Sequence, residues 1–215
     1  MLEVHPPNEP VHGWRDFLIH LATITIGLLI ALSLEGCVEF WHHRSLVHEA
    51  EESMQTEIKA NARELQGALN DVRKEQEVLR RDIEVMKKII ANPRETNRET
   101  MTINFRIRTF NNVSWKTAES TGALSYMRYE RAKEYSNLYG AQNEIDVAEH
   151  RAVRDTVLAI APFAGSKEGE PNPGGEEAVK IADRLEILQA QLMFLESQIL
   201  GLDDEFKKFL ARHPE

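Results

Sequence analysis

Residues 181–209 read IADRLEILQAQLMFLESQILGLDDEFKKF, and this stretch decides the fold. Its apolar side chains fall at Ile181, Leu185, Leu188, Leu192, Leu195, Ile199, Leu202, Phe206 and Phe209. The steps alternate between four and three, which is the heptad spacing of a helix that buries one narrow stripe against other helices. The spacing predicts a helix over residues 176–212. Glu176 and Glu177 stand in its first turn and Lys207, Lys208 and Arg212 near its last, charges that complement the helix dipole.

A matching stripe lies upstream at Ile58, Ala62, Leu65, Leu69, Val72, Leu79, Ile83, Met86 and Ile90, with Gln76 as its single polar member. Leu46, Ala50 and Met54 lead into it at steps of four, and no proline occurs between Val11 and Asn92. One helix is therefore expected to run to about Ala91, where Asn92-Pro93 stops it. A third helical region, residues 131–161, ends at Pro162 and shows a broader, poorer face: Tyr135, Leu138, Ile145, Ala148, Ala152, Val153, Val157 and Ile160. Residues 114–129 read as a short helix or helix pair interrupted near Gly122, and residues 101–109 as an extended connector. Residues 162–175 (PFAGSKEGEPNPGG) read as a flexible loop. The expectation is an all-α chain whose residues 58–212 form an antiparallel three- to four-helix bundle or coiled coil.

At the other end, residues 17–34 read FLIHLATITIGLLIALSL, apolar all round rather than along a stripe. Such a helix has no polar face to leave in water, and nothing else in the chain could cover it on every side. Eighteen residues span about 27 Å, close to the thickness of a bilayer core. Trp14 and Trp41 bracket the stretch as candidate interfacial anchors. This divides the chain into a short N-terminal tail (1–16), a transmembrane helix (17–35), a helical stalk (36–57) and the bundle (58–212). Arg15 and Arg44 nearly balance across the span, so charge does not set its orientation. Leu34-Glu35-Gly36-Cys37 has the outline of a lipoprotein cleavage site, which keeps lipidation at Cys37 open as an alternative.

Composition excludes several function classes. The 215 residues carry a net charge of −9, which argues against a nucleic-acid partner. One cysteine excludes an internal disulfide and a multi-cysteine zinc site. Glu35, Glu39 and His43 repeat every four residues on one helix face, and Glu39 with His43 is the best metal-ligand pair in the chain. One face rarely supplies a full ligand set, so they read as interfacial polar residues, and no metal, cofactor or enzymatic activity is expected. His20, inside the apolar stretch, reads as a side chain that reaches back towards the headgroups.

Residues 115–127 (WKTAESTGALSYM) are the most distinctive stretch outside the span. A short apolar span (residues 17–35), a long helix, then Trp115, Ala118, Gly122, Ala123 and Leu124, and a helix bearing Tyr135 and Tyr139, together resemble uncharacterised bacterial single-pass membrane proteins. The resemblance implies a cytoplasmic N-terminus, residence in the bacterial inner membrane and an extracytoplasmic helical domain. It implies no activity. Trp115, Gly122 and Tyr135 mark either the packed end of the bundle or a ligand site there. The reading at this level is a structural or protein-interaction subunit of a membrane assembly, in contact with the lipid bilayer and with either further copies of itself or another membrane protein. The alternatives are an extracytoplasmic ligand-sensing bundle, the lipoprotein, and a metal-dependent enzyme or ion relay using Glu35, Glu39 and His43.

Overall fold

The computed structural model describes residues 13–92, 108–163 and 175–214, and among these it is all-α, with no strand. In chain order the elements are α1 (Trp14–Ala91), α2 (Val113–Ser120), α3 (Ala123–Tyr126), α4 (Tyr129–Ile160), a single 3-10 turn (Ala161–Phe163) and α5 (Gly175–Arg212). The expected connector falls largely outside the described residues; Thr109, at its end, has no regular structure. Most of the expected loop also lies outside them. Two compact units divide between Glu49 and Ala50.

In the first unit, residues 17–34 are helical and exposed throughout, which makes this segment a candidate membrane span. The hydroxyls of Thr23, Thr25 and Ser33 donate to the carbonyls of Ile19, Leu21 and Leu29 at 2.9, 2.8 and 2.7 Å. Each polar group in the stretch's hydroxyl side chains is thus satisfied within the helix, as a hydrocarbon surrounding requires. Trp14 rests against Phe17, and Phe40 meets Trp41 edge to face.

In the second unit, burial begins at Met54, so the packed core takes in the last turn of the segment read as stalk. The α5 stripe is buried along its whole length, from Ile181 to Phe209. Each large apolar side chain so buried contributes about 1.5–3 kcal/mol, and together they hold α5 against both neighbours. Towards α1, Gln66 donates to Asp203 and Arg73 to Glu196, each at 2.7 Å, while Lys87 lies 3.8 Å from Glu186. Towards α4, Arg212 donates to Glu134 at 2.7 Å and Gln191 to Asp155 at 2.6 Å. In both series one number rises as the other falls, so α5 is antiparallel to both helices.

The α1–α4 pair runs the other way. Arg131 donates to Glu51 at 3.1 Å, Tyr139 to Glu57 at 2.7 Å, and Asn61 to Gln142 at 2.8 Å. Here the numbers rise together, so α1 and α4 are parallel. The expected antiparallel order therefore holds for α5 with each partner and not for this pair. Its cause is on the chain: the Ser114 N–H donates to Glu57 at 3.0 Å, so the backbone has returned to the start of the bundle before α4 begins.

Candidate functional site

The face that α4 buries differs from its apolar pattern. The buried positions are Tyr135, Leu138, Gln142, Ile145, Glu149, Ala152, Thr156 and Ala159, a regular three-four alternation, with Tyr139 beside it. Val157 and Ile160, expected in the core, are 55% and 38% exposed. Every seventh residue of the true seam is polar: Gln142, Glu149, Thr156. Across from it α1 buries a second polar series seven apart, Asn61, Glu75 and Asp82, with Ala68 filling the register between the first two.

Polar groups in a core carry a desolvation cost of about 1–3 kcal/mol each unless hydrogen-bonded. Thr156 donates to the Ala152 carbonyl of its own helix at 2.8 Å, and for Asn61, Gln142 and Glu149 the partner is the backbone of a separate segment. Residues 108–112, between the two long helical stretches, have no regular secondary structure and lie as a strap beside α1 and α4. Asn61 receives the Asn111 N–H at 3.0 Å and donates to the Asn111 carbonyl at 2.7 Å. The Gln142 amide donates to that same carbonyl at 3.0 Å. Glu57 accepts the Ser114 N–H and the Tyr139 hydroxyl with its two oxygens. The Arg108 backbone reaches Glu149. A segment without helical hydrogen bonds is thus satisfied by side chains that the two helices present at heptad spacing.

Arg108 closes the strap from outside. Its guanidinium donates to Asp71 at 2.8 Å and to Glu64 at 2.9 Å, and these two carboxylates raise its pKa further. It passes over Gly67, where an added Cβ would collide with the guanidinium. Glycine in mid-helix costs about 1 kcal/mol relative to alanine, and the close approach of Arg108 explains its presence.

Two ionisation states follow from burial. Burial first, and then the Glu57 carboxylate, push the Tyr139 hydroxyl far above its ordinary range, so it stays a donor. Glu149 is 2% exposed, and one of its oxygens has no hydrogen-bond partner among the described residues. Burial, helped by Asp146, pushes its carboxyl up to about 7, against the opposing pull of the Arg108 backbone, His150 and the Arg108 charge. The strap is therefore seated on a carboxyl that changes charge near neutral pH.

The residues singled out from sequence fall in different places. Trp115 stacks on Tyr139 with ring centroids 5.4 Å apart, and Tyr135 is buried against Phe209 at 5.2 Å. Gly122 takes φ 78°, a left-handed turn between α2 and α3 that favours glycine. These side chains fill the end of the bundle where the strap enters α2. Glu39 and His43 stand 4.0 Å apart on the first unit, and among the described residues no group of three or more His, Cys, Asp or Glu could hold a metal. Cys37 is exposed, as are Trp14 and Trp41. The residues missed from sequence are Asn61, Gln142, Glu149 and Arg108; the seven-residue spacing of Gln142, Glu149 and Thr156 was the signal. No protein-family model, curated protein or solved structure matches the chain.

Proposed function

We propose that the protein is a single-pass membrane subunit whose helical bundle serves as a structural or protein-interaction module of a membrane assembly. The observation that carries this reading is the first unit's surface. Eleven large apolar side chains from Phe17 to Leu34 are each 43–70% exposed. At about 25 cal/mol per Å2, that surface in water opposes solubility, whereas lipid removes the cost. Exposed Trp14 and Trp41 suit the two headgroup layers.

The bacterial inner membrane, a cytoplasmic N-terminus and an extracytoplasmic bundle complete the proposal, on the strength of the resemblance. The bundle's contribution is a rigid helical surface, since its interior polar groups are used to seat its own strap. Carbonate washing of native membranes tests the anchoring: the full-length chain stays in the pellet, and its release would overturn the reading. A periplasm-dependent reporter fused after His213 is active in the proposed orientation and silent in the reverse one.

A further inference from the structure

One seat of the strap differs from the rest. Asn61 and Gln142 hold residues 108–112 with neutral amides, and the Arg108 guanidinium is matched by Asp71 and Glu64. Glu149 is a carboxyl, 2% exposed, that reaches the Arg108 backbone and keeps one oxygen without a partner among the described residues. Every packed element contributes to its surroundings. On α4, Asp146 stands one turn before it and His150 follows it, with the His150 Nδ1 2.7 Å from the Asp146 carbonyl. On α1, the Asn61–Gln142 register sets Ala68 opposite Glu149, with Glu64 and Asp71 a turn to either side and Glu75 a heptad on. On α5, the Gln191–Asp155 register sets Ser197 opposite it and Gln198 beside that, both uncharged. Of these groups Arg108 and His150 favour the charged form of Glu149, Asp146 opposes it, and burial outweighs them all.

We infer that residues 108–112 form a latch over the α1–α4 groove, which Glu149 keeps shut while neutral and loosens once charged. A carboxylate buried here escapes its desolvation cost in one of two ways: it takes a proton, or it admits water by lifting the strap. With the strap lifted, the carboxyl returns from about 7 to its ordinary value of 4.5. Opening is therefore least below pH 4.5 and levels off above pH 7. Between the two it grows by up to about tenfold per pH unit. Loosening bares Asn61 and Gln142, so the surface that the bundle presents depends on pH. The inference goes beyond the interaction role proposed above and does not rest on it.

The test uses the full chain in detergent micelles and follows hydrogen exchange of the Asn111 amide, which donates to Asn61 at 3.0 Å. Rates are corrected for intrinsic exchange and compared with those of the Leu192 amide in the α5 seam. In the parent, opening at Asn111 is expected to rise at least about tenfold from about pH 5 to about pH 8, and to exceed opening at Leu192 throughout. Glu149→Gln abolishes the rise. His150→Gln, which removes the neighbouring imidazole, keeps it. Asp146→Asn relieves the repulsion on Glu149, so the rise levels off at a lower pH; this variant decides the matter if Glu149→Gln does not fold. A flat course in the parent overturns the inference, as does a rise that survives Glu149→Gln or vanishes in His150→Gln. So does a levelling-off that Asp146→Asn leaves unmoved. Opening at Asn111 no more frequent than at Leu192 overturns it too, because the strap would then part only with the whole bundle.

Discussion

Residues 17–34 and residues 181–209 are both leucine- and isoleucine-rich helices, and they meet opposite fates. In the second, Leu185, Leu188 and Leu192 are fully buried; in the first, no large apolar side chain is less than 43% exposed. Composition does not separate them; arrangement does. A heptad stripe leaves a polar face for water, so α5 can be buried by two neighbouring helices. An apolar surface all round has no such face, and among the described residues no protein surface covers it. The contrast teaches that periodicity, more than hydrophobic content, decides whether a helix is buried in a bundle or left exposed as a candidate membrane span.

The largest expected effect sharpens that contrast directly. Leu192→Ala is expected to cost about 2–5 kcal/mol of bundle stability, and Leu192→Asp more, since an unpaired charge enters the core. Leu28→Asp carries the same chemistry into the other helix. It leaves the melting of the bundle unchanged and instead costs about 2.5–3.5 kcal/mol of membrane insertion. Thermal melts and membrane fractionation of both variants distinguish the two outcomes.

Next comes Glu149. Its folded carboxyl sits at about 7, above the ordinary 4.5, so the folded state binds the extra proton. Its contribution to stability is complete below about pH 4 and is lost as the pH rises through 7, by an amount on the order of 3 kcal/mol. Glu149→Gln is expected to flatten this dependence and to exceed the parent's stability at pH 8. Urea melts across the pH range measure it; an unchanged slope would remove Glu149 as the cause.

Asn61→Ala leaves both polar groups of Asn111 without their main partner and is expected to cost about 1–3 kcal/mol. Hydrogen exchange at the Asn111 amide reports the same loss locally. The smallest effect is a coupling. Gly67→Ala gains about 1 kcal/mol of helix propensity but displaces the Arg108 guanidinium from Asp71 and Glu64. It is expected to be near neutral in the parent and stabilising by about 1 kcal/mol when Arg108 is already alanine.

The α5 seam, the long α1 helix and the apolar span were all legible in the sequence, because each is a run of apolar residues at one spacing. The α4 seam was not, although its spacing is just as regular. Reading apolar residues alone put Val157 and Ile160 inside and left Gln142, Glu149 and Thr156 out. Gln142 and Glu149 are buried because the strap backbone lies against them, and Thr156 because its hydroxyl is satisfied by Ala152 of its own helix; such partners leave no apolar signature. The parallel order of α1 and α4 was hidden for the same reason, since it depends on where residues 108–114 return. Gln191 is a similar case: off the apolar stripe, it nevertheless bonds Asp155 across the α4–α5 contact.

The central claim is that residues 17–34 cross a bilayer. The chain has a single cysteine, Cys37, so a Cys37→Ser background gives a clean label-free parent. Gly13→Cys and Arg44→Cys in that background place one thiol on each side of the stretch. A membrane-impermeant maleimide is then added to spheroplasts or to inverted membrane vesicles. The account predicts that position 44 reacts only in spheroplasts and position 13 only in inverted vesicles; reaction of both positions from the same side would contradict it.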